Sequence, residues 1–280
     1  MPLPTFLICG APKAGTTSLY RYVEQHPDVC MSAEKETGFF LENYHCGIDW
    51  LADTLYRHYR SETAIGEATT GMMRDCKAPR RIAKHLPDVK LLFVLRNPID
   101  RIYSHFDFHR SAGVVPPDAS FSDLIRDTTS EWRNAQIDLG MYHDHLTRYE
   151  THFDRAQMLV HRFDELTGTP DPVIRETYAF IGVDPAFRPD TSRRYNKSKQ
   201  PRHAAAYRLL RRAWEPVKKR LDVYALNHTQ RLRHALRSLL LTDVERPDMP
   251  DADRTYLRDI YAEPNARLAD WLGTDLSHWT

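Results

Sequence analysis

The chain has 280 residues, 41% of them hydrophobic, enough apolar material for a large core and most simply one large domain. A formal net charge of +1 argues against a general nucleic-acid binder, which would carry a strong basic excess. Four cysteines, Cys9, Cys30, Cys46 and Cys76, make no CxxC pair, zinc spacing or disulfide framework, which suits a reducing, cytoplasmic location.

Phe6 to Cys9 reads as a first strand, with Cys9 as a small buried hydrophobe. Met1 to Cys9 lacks the basic start and the length of a secretion signal, and no apolar run could span a membrane. A glycine-rich turn, Gly10 to Gly15, leads into a helix through Leu19, Tyr22 and Val23. Ala64 to Gly66 is a short strand, and Pro79 to Leu86 is helical. Lys90 to Leu95 is the clearest strand; its unbroken apolar run predicts a central position covered on both faces. Asn97-Pro98 opens a helix, with Pro98 suited to the first turn. Met158 to Val160 is a further strand, and a last helix near Tyr256 to Leu272 stops at Gly273. Strands alternating with helices imply a parallel α/β sheet.

The stretch from Arg202 to Arg237 carries ten Lys or Arg and only two acids, Glu215 and Asp222. Leu209, Leu210, Trp214 and Val217, then Leu232, Leu236 and Leu240, recur at helical spacing. One or two basic amphipathic helices over about 202–240 follow. They form a solvated face over the core, a wall for an anionic acceptor, or a peripheral contact with acidic lipid head groups.

The segment Gly10-Ala11-Pro12-Lys13-Ala14-Gly15-Thr16-Thr17-Ser18 joins strand to helix, so backbone N–H groups and the positive helix end face an anion. The glycines keep the spacing of a nucleotide-triphosphate loop, but Thr16 stands where that loop has lysine, and the lysine sits earlier, at Lys13. The main strand ends in Arg96, so an acidic magnesium ligand is not provided there. A donor handled by lysine, hydroxyls and amides fits better than a metal-bound triphosphate. Arg96 and Ser104, at and beyond the end of the strongest strand, form a second anion grip. Arg101 reads equally as a salt-bridge partner. Two separated grips call for a ligand with two separated anionic groups, such as a nucleoside with a 3′-phosphate and a 5′-phosphosulfate.

Pro12-Lys13-Ala14-Gly15-Thr16-Thr17 and Arg96 through Ser104 together resemble the PKxGTT and RNPxxRxxS motifs of sulfotransferases that use 3′-phosphoadenosine 5′-phosphosulfate (PAPS). Glu36-Thr37-Gly38-Phe39-Phe40, Asn43-Tyr44-His45, Gly47-Ile48-Asp49-Trp50 and Gly140-Met141-Tyr142 are similar to the branch containing heparan sulfate N- and O-sulfotransferases and their bacterial relatives. The resemblance implies a three-layer P-loop-type α/β fold with a central, mostly parallel sheet flanked by helices. It implies PAPS as co-substrate, 3′-phosphoadenosine 5′-phosphate (PAP) as product, and no metal. Lys13, Ala14, Gly15, Thr16, Thr17, Ser18, Arg96 and Ser104 would bind the nucleotide. Arg202, in the late segment Tyr195 to Arg202, would add a 3′-phosphate contact. Glu36 would be the base and Lys13 would stabilise the leaving phosphate.

Three departures bear on the acceptor. Gly38 stands where the O-sulfotransferase pattern often has histidine. Glu67 is followed by Ala68, Thr69 and Thr70 rather than by lysine. Phe108 stands at the N-sulfotransferase histidine, with His109 beside it as a possible proton-transfer aid. Glu67 reads either as an acceptor or lysine contact or as a cap or salt-bridge partner. The acceptor is a small molecule, glycan or lipid, with a sugar hydroxyl favoured. A P-loop nucleotide kinase and a non-catalytic PAPS- or phosphate-binding module are the alternatives.

Overall fold

The computed structural model describes residues 2–116, 118–192 and 247–279, with the backbone alone at 199–201 and 241–243. Strand β1 (Phe6–Gly10) lies in the middle of a five-stranded sheet. β3 (Ala64–Ala68) flanks it on one side and β4 (Lys90–Leu95) on the other; β2 (Val29–Met31) and β5 (Met158–Arg162) form the edges. All four pairings are parallel, with Phe6 opposite both Gly66 and Lys90.

Phe6, Leu7, Ile8 and Cys9 of β1 and Leu91 to Leu95 of β4 are wholly buried, as a strand covered on both faces requires. Each such Leu, Ile or Phe contributes roughly 1.5–3 kcal/mol by leaving water. Helices α1 (Thr16–Val23), α2 (Ile48–Leu55), α3 (Ala78–His85), α4 (Pro98–Ser111) and α5 (Phe121–Arg126) come first in the chain. α6 (Glu131–Asp138), α7 (Tyr142–Glu150), α8 (Phe163–Gly168), α9 (Pro170–Ile181) and the long α10 (Asp251–Leu272) follow. Helix α4 begins where expected: the Asn97 side chain accepts from the Ile99 amide at 3.0 Å, and Pro98 occupies the first turn. A second apolar cluster joins Ile99, Ile102 and Phe106 of α4 to Phe121, Ile125, Leu257 and Tyr261.

Several boundaries differ from the sequence expectation. β2 has no counterpart there, because three residues are too few to show a pattern. β3 runs two residues past Gly66, since the buried Glu67 interrupts the apolar run without ending the strand. β5 likewise extends to Arg162. α10 starts at Asp251 and carries Pro264 in its interior, ending at Gly273 with φ 64°. A separate antiparallel pair, β6 (Lys199–Pro201) and β7 (Leu241–Asp243), brackets the stretch expected to hold the basic helices. Arg202 and that stretch lie outside the described residues. No helix among the described residues is long and apolar enough to cross a membrane.

The chain passes from β1 outward through β2 and β3, then crosses to β4. The switch between β1 and β4 opens a crevice at the carboxyl ends of the strands, where open α/β sheets bind ligands. The loops leaving these two strands carry the two anion motifs.

Candidate active site

The loop after β1 is held by close packing. A Cβ on Gly10 would lie 2.7 Å from Met73 Cβ and 3.1 Å from the Thr70 carbonyl, so the loop rests directly on the Thr70–Met73 turn that follows β3. Gly15, at φ 91°, precedes α1; a Cβ there would stand 3.0 Å from the Phe163 ring. Lys13 also has positive φ, 68°. Among the described residues only Lys13, Glu36 and Ser61 do so without being glycine, a conformation that persists where its surroundings enforce it. Helix α1 has no side-chain cap and no acid in its first turn, so its amide end suits an outside anion. Thr16 and Ser18 are buried and Thr17 half-buried at that end. Ala14 is fully buried, and its N–H turns back onto the Ala11 carbonyl at 3.3 Å, so this residue shapes the loop.

Arg96 leaves the end of β4 and meets this loop. Its Nη1 donates to the Lys13 carbonyl at 3.2 Å, and its guanidinium stacks 4.5 Å from the Phe163 ring centre. The Arg96 carbonyl accepts from the Tyr142 hydroxyl at 2.8 Å, which fixes the strand end from α7. Ser104 lies buried on α4. The two motifs are thus joined through Arg96 and Lys13. None of Lys13, Arg96, Thr16, Thr17, Ser18 and Ser104 is acidic, a donor set that fits a ligand with two phosphate-type ends.

The Lys13 ammonium lies 4.6 Å from the ring centre of Phe108, one of three large apolar side chains that are exposed among the described residues. Behind Phe108, the Trp132 indole donates to His109 Nδ1 at 2.8 Å. Burial, then the charges of Lys13 and Arg101, hold His109 below the usual imidazole range. A neutral ring accepting at Nδ1 carries its proton on Nε2, so His109 can donate a hydrogen bond but is not set up as a base. His105 is pushed down to about 2 by burial and by His109 and Arg101 beside it; its Nδ1 lies 2.6 Å from Gln136 Oε1. Arg101 is fully buried. It donates to the Gln136 carbonyl at 2.5 Å and to Gln136 Oε1 at 3.3 Å. No carboxylate pairs with it among the described residues, so it is not the salt-bridge partner its sequence position also allowed.

Glu36 follows β2 at φ 62°. Its carboxylate is 46% exposed and accepts from the Thr70 amide at 2.9 Å, the Thr70 hydroxyl at 3.1 Å and the Lys35 ammonium. The Glu36 N–H is tied to the Ala68 carbonyl at 2.7 Å. Thr70 therefore touches both the carboxylate and, through its carbonyl beside Gly10, the phosphate-type loop. Phe39 and Phe40 are core residues, their ring centres 4.9 Å apart. Glu67 forms neither a cap nor a salt bridge. It is fully buried at the end of β3, where Thr37 and Thr69 donate to its Oε1. The threonines, Tyr142, Trp132 and Gln136 were not reached as site residues from sequence. The local signal is the Thr69-Thr70 pair, two residues beyond the strand-end glutamate.

The family described as "Sulfotransferase domain" matches residues 3–208. The chain is 30% identical over 211 residues to the human bifunctional heparan sulfate N-deacetylase/N-sulfotransferase 2, covering 70% of this chain and 24% of that protein. It is 31% identical over 187 residues to the mouse heparan sulfate glucosamine 3-O-sulfotransferase 3B1, covering 65% and 46%. The chain thus spans about a quarter to a half of these relatives' lengths. A sulfotransferase from Alicyclobacillus acidocaldarius superposes with a TM-score of 0.71 at 26% identity, covering 100% of this chain and 99% of that one. With the family match spanning most of the chain, including both anion motifs and the Glu36 segment, the protein belongs to the sulfotransferase-domain family.

Proposed function

We propose that the protein transfers the sulfuryl group of PAPS to a hydroxyl or amine of a sugar-containing acceptor. Transfer from PAPS is the reaction of this family, and the named relatives are heparan sulfate enzymes. The observation that carries the reading is Glu36: an exposed carboxylate held at positive φ, joined through Thr70 to the loop that presents Lys13.

In this mechanism Glu36 accepts the acceptor's proton as its oxygen or nitrogen bonds to sulfur. The bond from sulfur to the 5′-phosphate oxygen breaks in line, and PAP leaves with the electron pair. The Lys13 ammonium and the amide end of α1 stabilise the charge that grows on that oxygen. Arg96 and Ser104 hold the 3′-phosphate. Residues 1–280 as one sulfotransferase domain, placed in the cytoplasm where its four free cysteines, two of them exposed, stay reduced, complete the proposal.

Calorimetry with PAP, without metal, tests the donor site. Lys13→Ala and Arg96→Ala are each expected to weaken PAP binding by about tenfold or more, the loss of a charge-assisted contact. Tighter binding of Mg·ATP than of PAP would overturn the assignment. For the base, Glu36→Gln should leave PAP affinity in place and lower turnover by roughly 10²–10⁴-fold.

A further inference from the structure

Glu67 has no part in the chemistry above, yet it ties together the two threonines that flank the Glu36 segment. Thr37 donates to its Oε1 at 2.6 Å and Thr69 at 2.5 Å. Each hydroxyl has one proton, so both are committed to Glu67. Their oxygens then accept backbone amides of the Glu36 segment: Thr37 from Phe39 at 3.2 Å, Thr69 from Gly38 at 3.1 Å. Thr69 also adjoins Thr70, whose amide and hydroxyl grip the Glu36 carboxylate. One buried carboxyl therefore braces both the backbone that carries Glu36 and the turn that holds its side chain.

The second oxygen favours the neutral acid. Glu67 Oε2 is buried and has no hydrogen-bond partner among the described residues. Oε1 accepts both threonines in either state, but an ionised carboxylate buries a charge facing no donor, whereas an acid with its proton on Oε2 leaves only a neutral O–H unpaired, the smaller cost. We propose that Glu67 is a protonated positioning residue that fixes Glu36 for proton abstraction through Thr37, Thr69 and Thr70. This rests on Glu36 being the base.

Burial, more than any neighbour, raises the Glu67 carboxyl to about 7. Facing it are Glu36 and Lys35 on the loop, Cys9 on β1, Tyr20 on α1 and Tyr56 after α2. Burial keeps the last three neutral, so Glu36 and Lys35 are the charges that bear on it. Ionisation of Glu67 buries a charge whose Oε2 faces no donor, which loosens the threonine brace around Glu36, and turnover should fall as pH rises through neutrality.

The test compares wild type, Glu67→Gln, Glu67→Leu and Glu36→Gln. PAP release from PAPS is followed from pH 5.5 to 9 with glucosamine oligosaccharides as the probe acceptor. Carboxyl carbons of ¹³C-labelled glutamate are titrated by NMR on the same proteins. Glutamine mimics the acid, so Glu67→Gln should keep the kcat of wild type at low pH and lose the inflection near neutrality. Glu67→Leu should lower kcat by about a hundredfold while PAP affinity stays unchanged. By NMR, one carboxyl should titrate near neutrality and vanish in Glu67→Gln. The resonance that vanishes in Glu36→Gln should carry an inflection at the same pH, lost in Glu67→Gln. Wild-type kcat in Glu67→Leu, or a neutral inflection that survives Glu67→Gln, overturns the proposal, and the NMR result decides it even without turnover of the probe. Full turnover by Glu36→Gln overturns the base assignment instead, and leaves the NMR coupling of the two carboxyls intact.

Discussion

Glu36 and Glu67 are two carboxyls joined by three threonines but differing in contact with water. Glu36 keeps solvent, a lysine and two hydrogen-bond donors; Glu67 has two hydroxyls and no solvent. The difference has a consequence for stability. The Glu67 carboxyl moves from the usual 4.5 to about 7 on folding, so the folded chain binds the proton more tightly than the unfolded one. Its contribution is fully present below about pH 4.5 and is lost as pH rises through about 7. Glu67→Gln should therefore gain stability relative to wild type by roughly 3 kcal/mol more at pH 8 than at pH 4. Urea denaturation at the two values measures this, and an equal difference at both would contradict it. Lys13, Arg96 and Glu36 were legible in the sequence because each lies inside a local motif. The bracing of Glu36 was not: Thr37 and Thr69 meet Glu67 across 30 residues and across 2, with neither contact leaving a periodic trace. His109 was legible only as a residue type; that it faces the site as a donor depends on Trp132, 23 positions away.

The loop between β1 and α1 draws its shape from other elements. Gly10 lies against the Thr70–Met73 turn, and Gly15 against the Phe163 ring of α8. Gly15→Ala places a methyl group 3.0 Å from that ring on a backbone at φ 91°. A loss of roughly 1–3 kcal/mol follows from the strain, with weaker PAP binding as α1 and Arg96, also stacked on Phe163, shift. Thermal unfolding and calorimetry of the variant would check both; a variant with wild-type values in each would show that the loop tolerates a side chain here. The elements legible beforehand were those with long apolar runs, β1 and β4 above all. The edge strand β2 was hidden because three residues give no alternation, and β3 was cut short at Gly66 because a buried acid imitates a strand end.

Taken as a whole, the ligand side of the sheet gathers three cations. Lys13 and Arg96 sit at the crevice, and behind them Arg101 is buried against Gln136 and His105, with no carboxylate paired to it among the described residues. Such a charge costs stability until an anion offsets it. PAP at a hundred times its dissociation constant should stabilise the fold by about 2.7 kcal/mol, a rise in Tm of roughly 5–10 °C. Adenosine, which lacks both phosphates, should give little shift, and added salt should reduce the effect of PAP. Equal stabilisation by adenosine would mean that the base and sugar, not the charges, dominate binding.

Strand β1 also divides the molecule's labour. Among the described residues, everything assigned to the donor lies on its own loop or on the β4 side, while Glu36 and its bracing threonines come from β2 and β3. The two halves meet at Gly10 and Thr70. Mutational drift in the segment between β2 and α2 can therefore retune which acceptor is presented to Glu36 without disturbing nucleotide binding. One ancestral scaffold could by this route diversify its products while keeping its donor.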